Sequence, residues 1–201
     1  MRIEQLRKNY EIEVRWIAFP LHPETPEEGL TLEELFAGRS VDVEKIMSRL
    51  KQVAEELGLP LGKRKRTYNS RLAQELAKWA ESKGRGDAFN EAVFRSYFVD
   101  GENIGKVDVL AALAKSIDLP EEGAISVLEL RTFKQAVDSD WLRSHSLGVT
   151  AVPTFFIDDR VVVGFPTYEL LEEFARACGA EKRKGPSPYP SPRRGRGEGE
   201  G

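Results

Sequence analysis

Three side chains in this 201-residue sequence are of the types that most often make or break bonds near neutral pH: one thiol, Cys178, and two imidazoles, His22 and His145. A single thiol cannot close an internal disulfide, so these residues hold no disulfide framework and no Cys-x-x-Cys redox pair. Cys178 follows Phe174 and Ala177 on the apolar side of a helical pattern and reads as an inert, buried or half-buried thiol. His22 sits in a proline-rich loop. His145 falls near a helix end, where a partly charged imidazole suits the dipole. Neither has a second His, a paired Cys or a spaced carboxylate, so no metal set is expected. No Ser-His-Asp order and no glycine-rich phosphate loop stands out. The residues therefore nominate no catalytic group, no metal ligand and no cofactor.

What they nominate is a binding surface. In Gly148-Val149-Thr150-Ala151-Val152-Pro153-Thr154-Phe155-Phe156-Ile157 a helix ends at glycine and an apolar strand follows a Val-Pro step. A proline at a strand entrance gives up one ladder donor. Two conformations fit. In one, a trans proline starts an edge strand. In the other, a cis bond turns the preceding backbone N–H and C=O outward, where they can pair with an extended ligand. Lys63-Arg64-Lys65-Arg66 reads as a solvated basic loop between helices. Asn69 is placed to cap the helix after it.

The elements that must position these residues follow from periodicity. Ile3 and Leu6, three apart, mark the end of a helix over residues 2–9, with nothing to cap its start. Ile12, Val14, Trp16 and Ala18 alternate with charged residues, which predicts a strand over Glu11–Phe19. Pro20, Pro23, Pro26 and Gly29 make a loop. Residues 43–137 are helical in pattern, with no strand expected between the helices. The first carries Val43, Ile46, Met47, Leu50, Val53, Ala54 and Leu57 on one face. Others are expected over 70–82, 87–98, 106–116 and 120–137. Asp138 or Asp140 can cap one more, through Leu147. A hairpin turning at Asp158-Asp159 and a last helix capped by Thr167 complete the pattern. The expected division is 2–42 with 138–179 as a core, 43–137 as a helical insertion, and 180–201 as a disordered Pro/Gly/Arg-rich tail.

The net charge is −3, with 40% apolar residues, which fits one well-filled core. The charge is uneven: residues 181–201 carry +3 and the body −6. The basic tail lacks interleaved aromatics for base stacking, so no nucleic-acid partner is expected. No apolar run approaches a membrane span, and residues 1–10 have no signal-peptide core. A cytoplasmic chain with no membrane partner is the expectation.

Gly-Val-x-x-Val-Pro-Thr-Phe, a hairpin and a last helix together resemble the second half of the thioredoxin fold. Other segments resemble the DsbA-like branch near FrnE and the 2-hydroxychromene-2-carboxylate isomerases. These are Trp16–Phe19 with Leu21-His22-Pro23, Tyr68-Asn69-Ser70-Arg71-Leu72-Ala73, Ser96-Tyr97-Phe98 with Asn103-Ile104-Gly105, and Gly164-Phe165-Pro166. The resemblance covers essentially residues 2–178. It implies an α/β thioredoxin-like fold with a large all-helical insertion. It also implies thiol-disulfide oxidoreductase chemistry, with Ala151, Val152 and Pro153 binding substrate and Asn69 a further ligand candidate.

One departure qualifies that function. The family's first strand and the start of its first helix, with the Cys-x-x-Cys or its Ser variant, have no counterpart here. An N-terminally truncated chain, inactive and poorly soluble as it stands, is the expectation. Two alternatives stay open: a glutathione-dependent isomerase or transferase, and a non-catalytic binding remnant. The expected partner is a thiol or disulfide substrate protein, or glutathione as substrate. A homodimer is left open.

Overall fold

The computed structural model describes residues 2–38, 42–62 and 64–185. Helix α1 (Arg2–Asn9) forms where Ile3 and Leu6 predict it, with Leu6 buried. The strand expected over Glu11–Phe19 does not form. Tyr10 makes one antiparallel bridge to Lys182, and the Glu11 N–H donates to Glu181 O at 2.8 Å. Further on, side chains take up the backbone instead. Ala18 N–H donates to Asp140 Oδ2 (2.9 Å), and Gln74 Nε2 donates to Phe19 O (3.0 Å). Alternation says which face a strand would bury; it does not supply a neighbouring ladder.

Gly29 turns the loop at φ +75°, where a Cβ would collide with Thr67 O and the Tyr68 ring. It leads into β1 (Leu30–Thr31) and the short α2 (Leu32–Leu35), which Thr31 and Glu34 close with a capping box. Helix α3 (Val43–Glu56) is capped by Asp42 Oδ1 accepting from Lys45 N–H at 2.9 Å. Strand β2 (Arg66–Thr67) then pairs antiparallel with β1. The block expected to be free of strands thus holds one, too short for alternation to reveal. Arg64 also departs from its solvated-loop expectation. Its guanidinium lies 4.4 Å from the Tyr97 ring centroid and donates to Arg66 O, Thr67 Oγ1 and the Tyr97 hydroxyl.

Helices α4 (Arg71–Ser82), α5 (Gly86–Arg95) with a π-helical turn at Ser96–Asp100, and α6 (Val107–Ser116) lie close to their expected places. The helix expected over 120–137 breaks in two. These are α7 (Glu121–Glu129) and α8 (Lys134–Ser146), with Arg131 at φ 53° between them. Asp138 therefore lies inside α8 rather than capping it. Strands β3 (Thr154–Ile157) and β4 (Arg160–Val163) form the hairpin, with Asp158 taking the left-handed turn conformation. Their register pairs Thr154 with Val163 and Phe156 with Val161. Thr167 Oγ1 caps α9 (Tyr168–Ala177), accepting from Leu170 N–H at 3.3 Å. The tail is ordered further than expected, because Arg183 donates to Asn9 O and Arg7 O. The Pro-rich run from 186 on lies outside the described residues.

The chain forms two compact units. One combines residues up to Ile17 with those from His145 onward. There Leu6, Tyr10, Leu171 and Ala175 are buried, with Phe155 and Ile157 packed on them. The other runs Ala18–Ser144 and contains the whole 43–137 block. Its core includes Leu76 and Trp79 of α4, Phe89 of α5, Leu110 of α6 and Leu128 of α7. Each such large side chain contributes about 1.5–3 kcal/mol on burial. Helix α3 contributes little to this burial despite its length, covering only Ala54. Among the described residues no helix is long and apolar enough to cross a membrane.

Candidate ligand-binding loop

Gly148, at φ 68°, ends the turn after α8, and five residues carry the chain to β3. The Val152–Pro153 peptide is cis. Ala151, Val152 and Pro153 are all exposed, Val152 at 46%. The loop's other carbonyls are occupied. Thr154 Oγ1 donates to Ala151 O (2.6 Å), and Gly164 N–H donates to Pro153 O (2.8 Å). Among the described residues the N–H and C=O of Val152 have no hydrogen-bond partner. One residue with both backbone groups open can exchange two hydrogen bonds with one residue of an extended chain.

The Gly164–Pro153 bond sets the parity of the hairpin. Phe155 and Ile157 direct their backbone groups to β4, and Thr154 and Phe156 direct theirs to the opposite edge. Among the described residues no strand occupies that edge. Beside the loop, Leu147, Val149, Thr150, Thr154, Phe156, Val161 and Val163 line a depression of about 130 Å³. None of these side chains is charged.

Asn69 lies in the other unit. Its Oδ1 accepts from Arg71 N–H (2.9 Å), while Ser70 occupies the cap position itself. Both amide hydrogens are used: Nδ2 donates to Pro23 O (3.0 Å) and Thr25 O (2.9 Å). The expected helix cap is thus an Asx-type turn that also ties down the proline loop.

The sequence profile of the DSBA-like thioredoxin domain matches residues 1–175. The chain belongs to the DsbA-like thioredoxin family. An uncharacterised Bacillus subtilis (strain 168) protein, YwbO, is 29% identical over 183 residues, 90% of this chain and 88% of that one. A probable DsbA oxidoreductase from Streptomyces coelicolor superposes with a TM-score of 0.76 at 24% identity, covering 84% of this chain and 76% of that one. A 2-hydroxychromene-2-carboxylate isomerase superposes with a TM-score of 0.58 at 19% identity, over 68% and 66% of the two chains. At these identities the two structures share the fold.

In this DsbA-like chain the lone thiol is at the end of α9, where Cys178 is half-buried and its N–H caps the helix on Phe174 O and Ala175 O. His145 is exposed, and the His22 ring meets the edge of Phe36. Among the described residues no group of His, Cys, Asp and Glu could hold a metal.

The polar centre that periodicity missed is Glu75. It is fully buried on the α4 face that also buries Leu76 and Trp79. Arg71 Nε donates to its Oε1 at 2.6 Å, and Arg131 reaches it across the helices. Arg71 also pairs with Asp138 (2.6 Å) and lies over the Trp141 ring. Burial raises the Glu75 pKa, but the hydrogen bonds and charges of Arg131 and Arg71 outweigh it and hold the carboxyl below the usual glutamate range. The available signal was the Arg71–Glu75 spacing of four.

Proposed function

We propose that this chain binds thiol- or disulfide-bearing polypeptides in extended form, as the substrate-holding frame of a DsbA-type thiol-disulfide oxidoreductase, without completing the exchange itself. The observation that carries the reading is Val152, exposed, with both backbone groups open beside an uncharged depression. The inactivity rests on stoichiometry. Reducing a substrate disulfide turns two protein thiols into one disulfide, passing two electrons and two protons to the substrate. These residues hold one thiol.

A polypeptide suits the loop better than glutathione, whose two carboxylates would find no cation among the residues lining the depression. The glutathione-dependent isomerase reading therefore ranks second. Insulin reduction with excess dithiothreitol tests the first. The purified chain is expected to leave the background rate unchanged while binding reduced insulin B chain. Turnover that survives Cys178→Ala would overturn the inactivity, and binding of glutathione but not of the B chain would select the isomerase reading.

A further inference from the structure

Helix α3 leaves an apolar seam partly uncovered: Ile46 and Leu50 are exposed, and Val43, Val53 and Leu57 are half-buried. Val43, Ile46, Leu50, Val53 and Leu57 recur at alternating spacings of three and four, the a and d positions of a heptad. Only Ala54 of the helix is buried, while Ile46 is 47% and Leu50 38% exposed. A seam of this kind on an otherwise charged helix calls for a second helix.

The charges identify the partner. On this heptad the flanking g positions are Arg49 and Glu56, one turn pair apart and opposite in sign. If two copies of α3 lie antiparallel, Leu50 of each faces Val53 of the other, and Ile46 faces Leu57. Arg49 of each copy then meets Glu56 of the other, once at each end of the pair. The e positions, Met47 and Ala54, carry no charge, and Ala54 is already covered within the chain. Arg49 has no ion-pair partner among the described residues. A parallel arrangement would not unite these opposite charges through g–g contacts. An anionic membrane is a poorer occupant, since Lys45, Arg49 and Lys51 are balanced by Glu44, Glu55 and Glu56.

We infer that α3 is a self-recognition surface through which two copies of this chain pair antiparallel. At 14 residues the helix is about 21 Å long. Such a contact falls at or below the small end of stable interfaces, about 1,200 Å². The dimer is therefore weak and concentration-dependent, dissociating in the micromolar range or above.

Sedimentation velocity on the full chain, from low micromolar to near-millimolar concentration, tests this. The wild-type chain is expected to pass from monomer to dimer. Leu50→Glu, at an exposed position, should stay monomeric with unchanged circular dichroism. Arg49→Glu and Glu56→Arg should each weaken self-association about tenfold, and mixing the two variants should restore it, because both g contacts become attractive again. The charge pair keeps the test valid even if Leu50→Glu perturbs the helix. A chain that stays monomeric throughout overturns the inference. So does a dimer indifferent to all three substitutions, or a mixture that fails to recover. Vesicle binding without self-association would assign the seam to a membrane instead and also overturn it.

Discussion

Arg131 grips the buried carboxylate of Glu75 with two hydrogen bonds of 2.7 Å, its Nε on Oε2 and a terminal nitrogen on Oε1. This fork joins the α7–α8 turn to α4, and Arg71 extends it to Asp138. Removing the carboxylate charge leaves Arg71, only 14% exposed, facing a poorer partner. Glu75→Gln is expected to destabilise the chain by about 3 kcal/mol. Urea unfolding followed by tryptophan fluorescence, with Trp79 and Trp141 near the network, measures it.

The same carboxylate gives the fold an acid limit. Its folded pKa lies below the unfolded value, so its contribution is complete above the ordinary glutamate range and drains as pH falls through the depressed value. Asp138, held low chiefly by its bonds from Lys134 and then Arg71, acts in the same direction. Stability is expected to fall with pH below that range, and the fall should be shallower in Glu75→Gln. A parallel slope in the variant would contradict the assignment.

Arg64 tests a different contact. Its planar guanidinium lies over Tyr97 while its hydrogens reach Arg66 O and Thr67 Oγ1. A lysine keeps the charge and loses the fork. Arg64→Lys is expected to cost about 1 kcal/mol, nearly as much as Arg64→Met. Full stability in the lysine variant would mean that charge alone suffices there.

These contacts also show what periodicity can and cannot reveal. The α9 cap at Thr167, the 160–163 strand and the α3 register are local properties, set by side chains within a turn or two, and all were readable. The Glu11–Phe19 strand was not a local question, because it needs a neighbour, and the backbone of Ala18 and Phe19 found Asp140 and Gln74 instead. The α7–α8 break has no Gly or Pro to announce it; Arg131 takes the left-handed conformation itself, and its side chain reaches Glu75. Glu75 was hidden among apolar neighbours because only Arg71 lies within its own helix, while Arg131 reaches it from the α7–α8 turn, 56 residues on. At the loop, Ala151–Pro153 was visible as a motif, whereas the open backbone of Val152 required coordinates.

Thr167 offers a local control. Its Oγ1 accepts from Leu170 N–H at the start of α9, which buries Leu171 and Ala175. Thr167→Ala is expected to cost about 1 kcal/mol and Thr167→Ser very little. Equal loss in both variants, read by thermal unfolding, would mean the methyl group rather than the cap is what matters.

Residue-resolved amide hydrogen exchange at Val152 tests the binding loop most directly. Its N–H is exposed and unpaired, so it should exchange fast in the free chain, whereas Gly164 N–H, bonded to Pro153 O, should be slow. Adding reduced insulin B chain is expected to slow Val152 at least tenfold at saturation and leave Gly164 unchanged. An unaltered Val152 rate with the B chain bound would contradict the assignment of this loop as the polypeptide site.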